Sequence, residues 1–168
     1  SKDTLLAYPK YGKEFTVHTD SSDYQLGSVV LQEGRPIAFF SRKLNQAQKK
    51  YMTTEKELLG ITETIKQFKT ILYRQKVVVL TDHKSLCALD RKIIANDKLS
   101  RWQARLRKYS FSVEYIKGAR NNLADMLSRP WAKIREKEKP SEDLAGKFYN
   151  PVGDKNLVIY IPSCFCGN

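Results

Sequence analysis

Apolar and polar positions alternate along residues 14–20. Phe15, Val17 and Thr19 fall on one side of an extended chain, and Thr16, His18 and Asp20 on the other, which is the period of a strand. Ser21-Ser22-Asp23 supplies turn chemistry after it. Residues 27–31 and 36–41 are two further β-rich runs separated by Glu33-Gly34-Arg35, where Gly34 suits a tight hairpin. The opening therefore predicts a three-stranded antiparallel meander. The period then changes. Leu58, Ile61, Ile65, Phe68 and Leu72 recur at steps of three and four, predicting one amphipathic helix over residues 53–72. The continuous apolar run Val77-Val78-Val79-Leu80 is that of a strand buried on both faces, as in parallel pairing, so residues 76–81 return to the sheet through a right-handed crossover.

Residues 83–89 predict a short helix. Residues 97–109 predict a second amphipathic helix with Leu99, Trp102, Leu106 and Tyr109 turned inward. Residues 111–116 alternate as a strand, Gly118 breaks it, Asn121 or Asn122 is placed to cap, and residues 123–129 form a short helix stopped by Pro130. The expected fold is α/β: a five-stranded mixed sheet, made of the meander plus two parallel strands, with flanking helices. From Trp131 the composition changes. Residues 133–143 are nearly all charged and have no apolar period, which reads as a solvated linker, and residues 156–161 are one further strand candidate. There are no internal repeats.

The length of 168 residues suits one domain with a tail, and 41% hydrophobic residues supply a sizeable core. Lys and Arg number 30 against 18 Asp and Glu, a formal charge of +12, which points to a polyanionic partner, usually nucleic acid. The alternative from charge alone is a merely basic soluble protein. Cys87, Cys164 and Cys166 are too few and too irregularly spaced for a disulfide scaffold and fit a reducing compartment. No apolar run approaches the roughly 18 residues of a membrane span, and Ser1-Lys2-Asp3-Thr4 has no signal-peptide pattern and reads as a start within a longer chain.

Four carboxylates sit where core building does not call for them. Asp20 closes the first strand and Asp82 the apolar strand; as parallel neighbours these would present both side chains at carboxyl ends, the ligand edge of an α/β sheet. Glu57 lies in the first turn of the long helix, one turn before Ile61, and Asp125 lies on the last short helix. Each has a plain structural explanation: turns for the aspartates, a Thr54-x-x-Glu57 capping box, an exposed helix position. Asp23 and Glu55 have such explanations and no placement that recommends them. Together the four suggest a divalent-cation site, because clustered carboxylates repel unless a cation neutralises them. Oxygen-only ligands select Mg²⁺ or Mn²⁺ over zinc. Two such ions suit phosphodiester hydrolysis.

Five ordered motifs carry a resemblance over about residues 5–130: residues 18–27 (HTDSSDYQLG), 37–44 (IAFFSRKL), 51–61 (YMTTEKELLGI), 81–86 (TDHKSL) and 122–129 (NLADMLSR). Together they resemble the ribonuclease H domain of gypsy-type LTR retrotransposon reverse transcriptases. The resemblance implies the RNase H-like fold and two-metal hydrolysis of the RNA strand of an RNA–DNA hybrid. It implies Asp20, Glu57, Asp82 and Asp125 as metal-binding and catalytic residues for two Mg²⁺, with Mn²⁺ able to substitute. Glu57 is preferred to Glu55 because it directly precedes Leu58-Leu59-Gly60-Ile61. Ser21 and Met126 stand where the family commonly has alanine, and neither is expected to touch a ligand. The resemblance also implies residues 1–13 as a tether from an upstream polymerase, 14–130 as the domain, and 131–168 as linker toward a downstream integrase. The setting would be a cytoplasmic replication particle or the nucleus, with no membrane.

Residues 84–108 carry Lys84, Arg91, Lys92, Lys98, Arg101, Arg105, Arg107 and Lys108 against Asp90 and Asp97, a basic stretch beside an acidic edge. Lys84, Arg101 and Arg105 are therefore expected to bind hybrid phosphates, and Ser21 and Ser22, beside Asp20, to reach a 2′-hydroxyl. Tyr115 stands ten residues before Asp125, where cellular and many retroviral relatives carry a histidine, and is an accessory candidate. An inactive RNase H-like connection module that binds hybrid is the alternative function. An integrase core fits poorly, because it needs its glutamate late in the fold. A host-adopted copy is a further possibility.

Overall fold

Period-two patterning and turn chemistry produce the meander. Phe15–Ser21 (β1), Gln25–Gln32 (β2) and Arg35–Lys43 (β3) pair antiparallel in sequence order. Glu33 and Gly34 both take positive φ, 51° and 74°, as a two-residue hairpin turn requires. The computed structural model describes residues 6–88 and 96–129, together with the backbone of 157–160. After a single-turn helix, Gln46–Lys49 (α1), the long amphipathic segment forms Thr53–Gln67 (α2). The helix expected to run continuously to Leu72 is instead interrupted at Phe68, at φ −100° and ψ 26°, and Lys69–Leu72 (α3) is a separate turn. Phe68, Ile71 and Leu72 remain in the core, so the apolar stripe runs on although the backbone does not.

Lys76–Thr81 (β4) pairs parallel with β1, completing the crossover. A 3₁₀ turn, Lys84–Ala88, leads toward Asp97–Leu106 (α4). Ser110–Tyr115 (β5) pairs parallel with β4. Asn121 stands at the N-cap position of Asn122–Ser128 (α5), without a side-chain capping bond. The five expected strands lie in the order β5-β4-β1-β2-β3. A sixth, Leu157–Tyr160 (β6), pairs antiparallel with the outer edge of β3. It falls within the segment read as linker, the rest of which lies outside the described residues.

The two faces of the sheet are used differently. Phe15, Val17, Leu26, Val30, Ala38 and Phe40 pack with Leu58, Ile61, Ile65 and Phe68 to form the core. On that side Thr64 Oγ1 of α2 donates to Ser28 Oγ of β2. The other face receives α5. Between them the sheet presents its strand ends at Asp20 and Asp82. Residues 7–13 are fastened to the opposite end: Ala7 N–H bonds Pro36 O, and the Gln32 side-chain amide both accepts from Lys10 N–H and donates to Lys10 O.

Candidate active site

Parallel pairing of β1 and β4 sets Asp20 and Asp82 side by side at the carboxyl edge, and α2 brings Glu57, at the start of its second turn, over them. Asp20, Glu57 and Asp82 each offer a carboxylate oxygen, all within 4.8 Å of one another. The two glutamates near the start of α2 differ in their partners. Glu55 accepts the Met52 N–H at 3.0 Å and so caps α2, and it pairs with Lys98 at 3.2 Å. Glu57 is 4% exposed and turns inward to the aspartates.

Ser21 corrects one expectation. It does touch a candidate ligand: its hydroxyl donates to Glu57 Oε1 at 2.5 Å and its N–H donates to the same oxygen at 3.2 Å. Ser22 is likewise occupied, donating to the carbonyl of Ser128 at 2.5 Å. Both hydroxyls proposed for a 2′-hydroxyl are thus engaged with protein.

Asp125 is brought to the same edge by an unusual docking. Gly27, paired across from Asp20, lies directly under α5; a Cβ there would stand 2.3 Å from Ser128 N and 2.4 Å from Ala124 O. Polar side chains then hold both ends of α5. Asn121 Nδ2 donates to Thr19 O at 2.8 Å. Gln25 Nε2 and Ser41 Oγ donate to Leu127 O at 2.6 and 2.8 Å. Ser128 donates its hydroxyl to Asp20 Oδ2. Asp125 itself stands outside the close triad, and Arg129 forks both its oxygens, with Nε 2.9 Å from Oδ1. Asn121, Gln25, Ser41 and Ser128 were not foreseen as site residues. For Gln25 and Ser41 the one signal is a polar side chain within an apolar strand run; Asn121 and Ser128 carry none.

Burial, and then the charges of Asp20 and Asp82, push the Glu57 carboxyl up to about 8, against the Ser21 hydrogen bond that pulls it down. Burial and the charges of Asp82 and Asp125 also raise Asp20, against the Ser128 hydrogen bond. Glu57 Oε2 is buried and has no hydrogen-bond partner among the described residues. An all-oxygen donor set with a buried orphan lone pair fits a hard divalent cation.

The upward shift fixes a sign. Protonated Glu57 favours the folded state fully below its ordinary value of 4.5, and that contribution is lost as pH rises through about 8. In chelator, the melting temperature is therefore expected to decline by several degrees across that window. Glu57→Gln should flatten the decline, and Mg²⁺ should reverse it by binding the ionised form. Parallel pH profiles for wild type and Glu57→Gln would contradict this.

The expected hybrid-binding residues form two groups. Lys84 Nζ lies 4.9 Å from the Tyr115 ring centroid, and Tyr115, paired with Thr81, is 44% exposed at the same sheet edge as Asp82. Arg101 and Arg105 line a shallow depression on α4 with Lys98, Tyr51 and Trp102. Lys98 sits over the Tyr51 ring, and Tyr51 and Trp102 are tilted with centroids 6.0 Å apart. Arg91 and Lys92 lie outside the described residues.

A sequence model of the family described as "RNase H-like domain found in reverse transcriptase" matches residues 10–109. The retrovirus-related Pol polyprotein from transposon 297 of Drosophila melanogaster is 41% identical over 128 residues, 76% of this chain and 12% of that protein. The corresponding polyprotein from transposon gypsy of the same fly is 36% identical over 146 residues, 86% of this chain and 14% of that protein. The chain thus spans about an eighth of the curated relatives it matches. Among solved structures, the N-terminal RNase H domain of a Mycobacterium tuberculosis protein superposes with a TM-score of 0.57 at 16% identity, covering 69% of this chain and 91% of that chain. The foamy viral protease-reverse transcriptase in complex with RNA/DNA hybrid superposes with a TM-score of 0.56 at 17% identity, covering 82% of this chain and 18% of that chain.

Proposed function

The chain belongs to the RNase H-like domain family found in reverse transcriptases, and on that premise we propose that it is an active ribonuclease H that cuts the RNA strand of RNA–DNA hybrids during retroelement replication. The observation that carries this reading is the convergence of Asp20, Glu57 and Asp82 within 4.8 Å, with a buried, unbonded Glu57 oxygen. An inactive spacer would have no use for three mutually repelling carboxylates at a strand edge.

Asp20, Glu57 and Asp82, with Asp125 at the rim, would hold two Mg²⁺, or Mn²⁺ in their place; bound there, the ions supply an activated water and stabilise the leaving 3′-oxygen. The protein's part is geometric and electrostatic. β1 and β4 fix two carboxylates relative to each other, α2 closes the third over them, and α5 sets the fourth beside Asp20. Tyr115 and Lys84 flank Asp82 and would meet the phosphate backbone near the cut. Arg101 and Arg105 would hold phosphates farther along the hybrid, and the charge of +12 would draw it in. We place the chain between an upstream polymerase, joined through residues 1–13, and a downstream integrase region, joined through 131–168. No helix among the described residues is long and apolar enough to cross a membrane.

The test is cleavage of an end-labelled RNA–DNA hybrid in Mg²⁺, with single-stranded RNA and duplex DNA as controls. Internal cuts in the hybridised RNA alone are expected. Binding without any cleavage would favour the inactive connection module.

Hybrid affinity should also fall steeply with salt, because phosphate contacts release counterions. Arg101→Gln with Arg105→Gln should weaken binding about tenfold at low salt, with little sequence preference, and reduce the slope of log affinity against log salt by about two. Fluorescence anisotropy between 50 and 200 mM salt, the range over which such contacts are felt, measures both; an unchanged slope would remove the two arginines from the interface.

A further inference from the structure

We propose that Ser21 is a positioning residue: it holds one oxygen of Glu57 so that the other alone is presented to a divalent cation shared with Asp20 and Asp82. The inference rests on the reading of these carboxylates as a cation site, and it gives Ser21 a role through the protein rather than through RNA.

The pleat of β1 determines where Ser21 points. Phe15, Val17 and Thr19 face the core side beneath α2, and Ser21 is the next residue of that series, one position beyond Asp20, which belongs to the opposite series. Ser21 consequently meets Glu57 of α2, whereas Asp20 meets Ser128 of α5.

Both Ser21 donors converge on one acceptor. The N–H at 3.2 Å and the hydroxyl at 2.5 Å bond Oε1, while Oε2 has no hydrogen-bond partner among the described residues. Rotating the carboxylate plane away from this orientation would break both bonds. The two donors therefore fix the plane of the carboxylate: one oxygen, Oε1, is held by protein, and the other, Oε2, is left buried without a protein donor among the described residues. Because the donor is the immediate chain neighbour of Asp20, ligand and support lie on one rigid strand. Any residue but proline at this position brings the N–H; the hydroxyl is what serine adds. Orienting partners of this kind typically change metal affinity about ten- to a hundredfold.

The test uses the full chain and Mg²⁺ alone, followed by hybrid. Isothermal titration with Mg²⁺, without nucleic acid, is compared for wild type, Ser21→Ala and Ser21→Thr, with melting temperatures taken in chelator. Ser21→Ala is expected to melt within a few degrees of wild type but to bind Mg²⁺ about tenfold more weakly. Its half-saturating Mg²⁺ for cleavage should rise by the same factor while KM for hybrid stays constant. Ser21→Thr, which keeps the hydroxyl, should restore both. Unchanged Mg²⁺ affinity in Ser21→Ala overturns the proposal, and a raised KM for hybrid at unchanged Mg²⁺ affinity would assign the hydroxyl to RNA instead. Equal weakening in alanine and threonine variants would place the effect in packing and also overturn it. A wild-type protein that binds Mg²⁺, loses affinity on Ser21→Ala, and yet cuts no hybrid would support the role of Ser21 and refute the nuclease reading.

Discussion

Asp20→Asn, Glu57→Gln and Asp82→Asn are each expected to lower hybrid cleavage by more than about a thousandfold, some 4 kcal/mol of barrier, in proteins that remain folded. Each change is isosteric, so packing is conserved. Asp20→Asn and Asp82→Asn each also remove one negative charge from a group whose members lie within 4.8 Å, which relieves repulsion in the metal-free fold, while Glu57→Gln replaces a carboxyl that burial keeps protonated there up to about pH 8. The melting temperature in chelator should therefore be unchanged or higher while activity collapses, a combination that general destabilisation cannot produce. Asp125→Asn is expected to cost less. Its carboxylate is 41% exposed and forked by Arg129, so it stands at the rim and contributes through charge rather than through close convergence. Single-turnover cleavage, with circular dichroism to verify folding, provides the measurement. Near-native cleavage by folded Asp82→Asn would remove the triad from the chemistry.

Gly27→Ala should be the most damaging single methyl group in the domain. The new Cβ would meet Ser128 N at 2.3 Å, Ala124 O at 2.4 Å and Leu127 C at 2.5 Å. All three are backbone atoms, so no rotamer change relieves the contact and α5 itself must move. Overpacking of this kind costs about 1–3 kcal/mol, which for a domain of this size lowers Tm by about 10 °C. The displaced helix would carry Ser128 away from Asp20 and shift Asp125 with it. An ångström of misplacement at such a site can cost about a hundredfold in rate. Gly60→Ala is the matched control: its Cβ would meet only the Leu26 side chain, at 3.8 Å, and alanine favours a helix interior. That variant should be neutral or slightly stabilising. If Gly27→Ala melts and cleaves like wild type, α5 does not pack on β2 as described.

Residue patterning made the sheet legible because its signals are local. Phe15, Val17 and Thr19 declare one face of β1 by alternation, and Val77-Val78-Val79 declares a strand covered on both sides. The same arithmetic, carried two residues past Thr19, places Ser21 toward α2. It was obscured because Ser21-Ser22-Asp23 also reads as a turn, and a strand assumed to stop at Asp20 has no next residue. The break at Phe68 was illegible for a different reason: Ile71 and Leu72 stay buried across it, so the apolar period does not register the interruption. Glu55 and Glu57 were separated by motif; physically they differ through the Met52 N–H, a backbone partner that sequence does not display. The fastening of α5 was the least accessible feature. Gln25 meets Leu127, and Ser128 meets Asp20, across more than a hundred residues, and no local pattern pairs them.

That fastening has a bearing on the order in which the domain assembles and comes apart. α5 is seven residues long, too short to be helical alone, and leaves Leu123 and Met126 largely exposed. It is retained by Asn121, Gln25, Ser41 and Ser128 rather than by a large apolar face. Such a segment is expected to open as a separate cooperative unit at low free energy. Its partners on β1 and β2 are synthesised a hundred residues earlier, so the sheet and α2 can condense before α5 emerges. The amides of residues 122–128 should accordingly exchange with solvent well ahead of those in β1 and β4. Each such opening would withdraw Asp125 and the Ser128 hydroxyl together from the carboxylate edge while the rest of the domain stays folded.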